Sequence, residues 1–71
     1  MMTMLATVIQ AWGSQVLVTN NATGEEILVH TNYSTGNLVQ GDQVRIVHNG
    51  VMTPSIPPQI NAQSICVVRV Y

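Results

Sequence analysis

The side chains of this chain that can do chemistry are few and stand far apart. The possible metal ligands and nucleophiles occur singly, at His30, Asp42, His48, Ser55 and Cys66. A structural or catalytic metal site needs several such ligands at short, regular spacing. A nucleophilic serine or cysteine needs a base and an orienting acid beside it. The spacing therefore predicts no metal site, no cofactor and no enzymatic activity.

One arrangement would contradict that prediction. If Ser55 and His48 approached each other across the turn at Asn49 and Gly50, they would form the nucleophile and base of a hydrolase, which requires a contact of about 2.6–3.2 Å. The adjacent acids Glu25 and Glu26 follow a predicted turn and cannot face each other across a cleft as an acid–base pair. We expect both to be solvated charges.

The simpler interpretation gives these residues structural roles. We expect His30 and His48 to lie on strands, half exposed to solvent, and Cys66 to pack as a small core hydrophobe. Asp42 follows Gly41 directly and is expected to cap a turn through its carboxylate.

Composition and charge exclude several functions. The 71 residues are 46% hydrophobic and only 7% charged, with a net charge of −1. Arg45 and Arg69 are the only cations, whereas nucleic-acid binding and docking on an anionic membrane both draw on clustered basic residues. No apolar run reaches the roughly 20 residues of a spanning helix. We therefore expect no nucleic-acid partner and no membrane partner.

The number of cysteines and the first six residues indicate the cellular compartment of the protein. A single cysteine cannot form an internal disulfide, which favours a reducing, cytoplasmic setting. Residues 1–6 carry no basic region and no clear cleavage site, so we interpret them as mature sequence. An exported form remains an alternative if an upstream signal was removed.

Residues rich in β-branched side chains alternate with turn clusters about every ten residues, a pattern typical of a barrel or sandwich of short strands. We predict one domain over residues 1–71, with strands at 3–11, 15–19, 26–31, 43–48 and 60–71. Residues 12–14 predict a tight hairpin and residues 20–24 a longer one. Asn49 and Gly50 predict a type I′ hairpin, in which both central residues have positive φ.

The remaining segments predict how the barrel is closed. Leu38 and Val39, in the loop after the third strand, are expected to plug one barrel end. Three prolines within residues 54–58 forbid a central strand and predict a rigid, extended crossover. Residues 65–71 are apolar on both faces and are predicted to form the main core strand.

A pattern in the second half of the chain resembles a known family. Gly41, Asp42, Val44, Ile46 and Gly50 lead into a Ser-x-Pro-x-Gln-x-x-Ala segment at residues 55–62. This resembles the YobA-like group of small bacterial domains with an OB-like barrel. Together with the strand pattern, the resemblance predicts an all-β, five- to six-stranded Greek-key barrel of the OB type; an SH3-like barrel is the alternative.

Seven residues are candidates for binding a ligand or partner, namely Trp12, Tyr33, Arg45, His48, Thr53, Ser55 and Gln59. Trp12 either folds back over the barrel mouth, which we favour, or anchors a ligand or partner. Tyr33 begins a loop of small polar residues that suits sugar or peptide contact, and equally suits a barrel-end plug.

Arg45 is expected to pair with Glu25 or Glu26 across a neighbouring strand, a surface contact contributing about 0.2–1 kcal/mol. In the proline-rich segment, unpaired carbonyls and the Gln59 amide would receive an extended peptide. We favour instead a stiff crossover that Gln59 ties down by hydrogen bonds.

More apolar residues are present than one small barrel interior can hold. The surplus comprises Leu5, Ile9, Leu17, Leu28, Val47, Val67 and the row Cys66, Val68 and Val70. With so few charges on the surface, we expect another molecule to cover part of it. The chain is therefore predicted to be a non-enzymatic interaction module that binds a protein partner or forms a homo-oligomer. The alternative is a small-ligand or glycan-binding barrel that uses Trp12 and Tyr33.

Overall fold

Alternation of apolar and polar residues gives each strand one face that packs into a shared core. The computed structural model describes residues 2–32, 35 and 37–68, and over these the chain forms five strands: β1 (Met2–Trp12), β2 (Gln15–Asn20), β3 (Glu26–His30), β4 (Gln43–His48) and β5 (Gln59–Val67). The core consists of Met4, Ala6, Val8, Val16, Val18, Ile27, Val29, Val44, Ile46, Ile60 and Ala62.

The strands close into one barrel in the order β1-β2-β3-β5-β4. Strands β3 and β5 pair in parallel, and the other pairs are antiparallel. This is an OB-like Greek-key barrel, so of the two topologies that the sequence left open the OB-like one is found. The described residues include no helix long and apolar enough to cross a membrane.

Strand β1 is shared between two neighbours. Its first half pairs with β4, with Met2 opposite His48, and its second half pairs with β2, ending with Trp12 opposite Gln15. The register with β2 shifts between Val8 and Gln10. Such a bulge bends a strand and increases its twist, which allows one strand to serve both sides of a small barrel.

The first predicted hairpin is confirmed. Gly13 has a φ of +58°, and no described residue other than glycine has a positive φ. A two-residue turn with positive φ at its first central position only is type II′. The second loop closes through a hydrogen bond from the Gly24 amide to the Asn20 carbonyl at 2.7 Å.

The loop between β3 and β4 is held against the first hairpin. The amide of Thr35 donates to the Gly13 carbonyl at 2.9 Å, and the Thr35 side chain is 2% exposed. Leu38 packs on the core as predicted, but Val39 is 61% exposed and plugs nothing. Asp42 caps the turn, because its Oδ2 accepts the Val39 amide at 3.1 Å.

The type I′ hairpin predicted at Asn49 and Gly50 is wrong. Gly50 has a φ of +86°, but Asn49 does not have a positive φ, so only one of the required positions is left-handed. No strand follows at once. The chain continues irregularly until Thr53 forms an isolated bridge with Gln59, and the prolines prevent a regular ladder. The prolines thus prevent a strand here, as predicted, but the segment is bent rather than extended, because residues 54–57 form bends and Thr53 pairs antiparallel with Gln59.

The last strand begins earlier and is less buried than predicted. Its buried side chains, Ile60 and Ala62, lie in its first half. Cys66 is exposed rather than in the core, because it pairs opposite Arg45, and both side chains lie on the outer face of the barrel. Residues 69–71, the end of the predicted strand, lie outside the described residues.

Candidate functional site

The candidate binding residues do not converge on one place. Trp12 ends β1, whereas Arg45 lies in the middle of β4. His48 ends β4 beside Met2 of β1. Only Thr53, Ser55 and Gln59 lie together, where the segment after β4 meets the start of β5. Tyr33 lies outside the described residues.

The expected ion pair of Arg45 is wrong. Strand β4 lies between β1 and β5, so Arg45 is opposite Leu5 on one side and Cys66 on the other. Glu26 lies on β3, which pairs with β2 and β5. The order of the strands in the barrel, which cannot be read from the sequence, keeps Arg45 apart from Glu26.

His48 is more buried than expected. Its side chain is 7% exposed, and its Nδ1 accepts a hydrogen bond from the Gly50 amide at 3.1 Å. Ser55 lines a different depression from the one that His48 lines, and its hydroxyl donates to the Pro57 carbonyl at 2.8 Å. The arrangement required for a Ser55–His48 hydrolase is therefore not formed.

The proline-rich segment uses its own polar groups. The Leu28 amide donates to the Pro58 carbonyl at 2.9 Å, and the Thr53 amide donates to the Gln59 carbonyl at 2.8 Å. Nε2 of His30, which is half-buried as predicted, lies 2.7 Å from Oε1 of Gln59. Gln59 thus ties the crossover down, as we favoured. The Pro57 and Pro58 carbonyls and the side-chain oxygen of Gln59, which an extended peptide would use, therefore already have partners.

Trp12 is only partly folded back. Its side chain is 44% exposed, so slightly more than half of it is covered at the tip of the first hairpin. The polar loop that contains Tyr33 is anchored at the same tip, where the Thr31 amide donates to the Ser14 carbonyl at 2.9 Å. The loop is therefore anchored to the hairpin whose first strand ends at Trp12.

Most of the predicted apolar surplus lies outside the core. Leu5 is 54% exposed, and four further side chains are half-buried on the outside of the core cluster: Ile9, Leu17, Leu28 and Val47. Val67 is the exception, since it packs against the core. Of these residues, Leu5 lines one surface depression and Leu17 lines another.

The first depression lies where β1 begins and β4 ends. It has a volume of about 580 Å³ and is lined mainly by apolar side chains. We call it the methionine groove and define it by Met2, Met4, Leu5, His48, Gly50 and Met52. No charged residue lines it.

The second depression lies between the β2–β3 sheet and the crossover. It has a volume of about 630 Å³. We call it the proline groove and define it by Leu17, Glu25, Glu26, Ser55, Ile56 and Pro57. Unlike the methionine groove, it combines apolar side chains with two carboxylates.

The groups usual in metal-dependent catalysis are not clustered. Among residues 2–32, 35 and 37–68, no three His, Cys, Asp or Glu side chains come together to hold a metal ion. Within the same ranges, every buried side-chain nitrogen and oxygen has a hydrogen-bond partner. Neither depression therefore contains a buried side-chain nitrogen or oxygen without a hydrogen-bond partner.

Of the apolar groove residues, the sequence predicts Leu5 and Leu17 as surplus, but it indicates no binding role for Ile56, Met2 or Met4. Ile56 is 101% exposed, although its position between prolines indicates only part of a stiff crossover. Met4 lies in the strand predicted at residues 3–11, and Met2 lies just before it. Their spacing of two places them on one face of a strand, and that was the available signal.

The comparisons with known proteins found no matching family model, no matching curated protein and no matching solved structure. The resemblance to the YobA-like group stays a prediction. What the structure shows on its own is the architecture: this chain forms an all-β, closed, five-stranded barrel of the OB-like type.

Proposed function

We propose that this chain is a non-enzymatic interaction module that binds a segment of a partner protein in the proline groove. The partner segment carries an apolar side chain next to a basic one. The observation that supports this proposal is the combination in one groove of an exposed apolar rim with the carboxylates of Glu25 and Glu26.

The apolar part of the groove has two sides. Leu17 lies on the outer face of β2, half-buried and opposite Leu28 of β3. Ile56 faces it from the crossover and is fully exposed. Covering an exposed isoleucine contributes about 1.5–3 kcal/mol, which is enough to anchor a weak, specific contact.

The carboxylates of the groove are available to a partner. Glu25 and Glu26 are exposed, and among the described residues no basic side chain forms an ion pair with either. The third acid, Asp42, is engaged with the Val39 amide. Because an exposed ion pair contributes only about 0.2–1 kcal/mol, we expect the apolar contact to supply affinity and the carboxylates to select a basic neighbour.

The same charges argue against the nucleic-acid ligands that OB-folds often bind. The β2–β3 face and the loop before β5 are the parts that hold oligonucleotides in such barrels. Here that face presents Glu25 and Glu26, which repel phosphates. A basic protein segment fits this face better than a polyanion does.

The test is a titration of the isotope-labelled chain, followed by two-dimensional amide NMR. The probe is an end-capped hexapeptide of alternating leucine and arginine. The matched probes replace arginine by glutamate, or leucine by serine. We expect only the leucine–arginine peptide to shift the amide signals of Leu17, Glu26 and Ile56.

Variants separate the two contributions. We expect Ile56→Ser to weaken binding at least about tenfold, and Glu25→Gln with Glu26→Gln to weaken it about threefold at low salt. Val51→Ser is the control, because Val51 is a 67% exposed residue of the same segment that lines neither groove. Equal binding by the wild type and Ile56→Ser would overturn the proposal.

Self-association is the other form of this function. A second copy would cover the outer apolar residues, such as Leu5 and Leu28, that the barrel leaves outside its core. Light scattering during size-exclusion chromatography, from low to high micromolar concentration, measures it. A monomer throughout this range would contradict a homo-oligomer and leave only the partner segment.

A glycan-binding barrel is the second candidate function, and the exposure of Trp12 favours it. An indole that is 44% exposed offers a face on which a sugar ring stacks. A sugar titration that shifts Trp12 fluorescence would support this candidate. Unchanged emission across a panel of neutral sugars at millimolar concentration would contradict it.

We also propose a reducing, cytoplasmic location. Cys66 is a free, exposed thiol, and in an oxidising compartment such a thiol tends to pair between molecules. Non-reducing electrophoresis of the protein from its native source would show a monomer band if the location is correct. A disulfide-linked dimer would contradict it.

A further inference from the structure

The methionine groove brings together the described methionines from distant parts of the chain. The sequence has four methionines, of which Met1 lies outside the described residues, and the other three, Met2, Met4 and Met52, all line this groove. Met2 and Met4 come from the start of β1, whereas Met52 comes from the segment after β4. The barrel, and not the order of residues, places the three methionines around one groove.

A histidine side chain also lines the groove, beside the methionines. His48 is directly opposite Met2 in the β1–β4 pairing and lines the same groove. Residues opposite each other in an antiparallel pair have Cβ atoms about 4.5–5.5 Å apart. His48 and Met2 are therefore near enough for their side chains to share one ligand.

Both side chains approach the same glycine. The Gly50 amide donates to Nδ1 of His48 at 3.1 Å. Sδ of Met2 lies over Gly50, 2.8 Å from the position that a Cβ would take there. The lone pair of Nδ1 and the sulfur of Met2 are thus directed to the same small region, which only a glycine leaves open.

The chemistry of these donors is specific. Thioether sulfur is a soft, uncharged ligand that suits Cu(I), and imidazole nitrogen also binds copper. No carboxylate lines the groove, so the groove offers no negative charge to a divalent ion such as Mg²⁺ or Ca²⁺, which prefer oxygen ligands. Three thioethers and one imidazole favour a monovalent soft cation.

We propose that the methionine groove is a binding site for Cu(I), with Met2, Met4 and Met52 as thioether ligands and His48 as the fourth ligand through Nδ1. On binding, Nδ1 exchanges the Gly50 amide for the metal. Gly50 is exposed, so its amide can donate to water instead. This site is separate from the proline groove, and neither proposal depends on the other.

The experiment uses Ag(I) as a soft monovalent probe that does not undergo oxidation in air. All variants carry Cys66→Ser, because the exposed thiol would itself bind a soft metal as a thiolate. The methionine methyl groups are labelled with carbon-13 and followed by NMR during the titration. We expect one equivalent of Ag(I) to bind, with shifts of the Met2, Met4 and Met52 methyl signals and of the His48 ring.

Leucine substitutions remove the sulfur and nearly conserve the volume. We expect Met2→Leu and Met52→Leu each to weaken Ag(I) binding at least about tenfold, and the combination with Met4→Leu to abolish it. His30→Gln is the control for His48→Gln, because His30 does not line the groove. We expect only His48→Gln to weaken binding.

Two results would overturn the proposal. One is unchanged Ag(I) affinity in the triple leucine variant, with an amide spectrum showing that this variant is folded. The other is a titration in which only the Met1 methyl shifts. Either would mean that the methionines form an apolar barrel mouth without a metal role.

Discussion

Nε2 of His30 and Oε1 of Gln59 lie 2.7 Å apart and connect the two parallel strands that close the barrel. His30 ends β3, and Gln59 begins β5 directly after the proline-rich crossover. This parallel pair has only three residue pairs in register, from Leu28 opposite Gln59 to His30 opposite Asn61. A side-chain hydrogen bond therefore reinforces the shortest ladder of the barrel.

Gln59→Ala is expected to destabilise the fold. Loss of this hydrogen bond leaves a half-buried His30 nitrogen without its partner, at a cost of about 1–2 kcal/mol. Urea unfolding, followed by Trp12 fluorescence, measures the change. The control is Gln63→Ala, at an exposed position of the same strand, for which we expect a change within about 0.5 kcal/mol. Equal effects of the two substitutions would contradict this role of Gln59.

The buried hydroxyl of Thr35 is expected to hold the β3–β4 loop on the first hairpin. Its Oγ1 lies 3.1 Å from the Gly13 carbonyl and 3.2 Å from the Gln15 carbonyl. Thr35→Val keeps the shape but removes the donor, which should cost about 1–3 kcal/mol. Chemical unfolding measures it, with Thr53→Val as the exposed control. An unchanged free energy of unfolding in Thr35→Val would show that the backbone hydrogen bond alone anchors the loop.

Two isoleucines provide a matched test of the core. Ile46 is fully buried, and Ile56 is fully exposed. Ile46→Val should therefore lower the free energy of unfolding by about 0.5–1.5 kcal/mol, since it leaves a small cavity. Ile56→Val leaves none, and we expect no measurable change. Thermal unfolding of both variants, followed by circular dichroism, measures the two changes. A larger loss of stability in Ile56→Val than in Ile46→Val would contradict the burial of Ile46 in the core.

Replacing Gly13 by a residue with a side chain is expected to lower stability because of the backbone conformation, and not because of a steric clash. Its φ is +58°, and no atom from beyond the adjacent residues lies within 4 Å of the position of an added Cβ. Gly13→Ala should cost about 1–2 kcal/mol, because L-residues are disfavoured in the left-handed region, and Gly13→Asn should cost less, because Asn tolerates it. Equal losses for the two variants in urea unfolding would indicate a steric cause instead.

Period-two alternation and turn residues predicted most local structure from the sequence. Apolar residues at every second position in residues 43–48 predict that Val44 and Ile46 share one face, and the structure buries both. Gly13 marked the first turn, because a tight turn needs positive φ. These features depend on near neighbours in the chain, so one sequence suffices to predict them.

The errors occurred where a long-range partner decides the outcome. Cys66 is apolar enough for a core but lies outside it, since its register with β4 sets it opposite Arg45. Asn49 and Gly50 have the composition of a hairpin, yet the prolines that follow leave no strand for β4 to pair with in the next residues. Composition predicts how a residue prefers to pack, whereas register decides its face.

The two candidate sites also combine features that the sequence predicts with features that depend on long-range contacts. The sequence by itself determined an all-β barrel with few charges and a surplus of apolar residues. Only the tertiary structure decided that Met52 joins Met2, and that Ile56 stands beside Glu26. The physical reason is barrel closure: the order β1-β2-β3-β5-β4 brings together residues that are distant in sequence, and no local preference encodes that order.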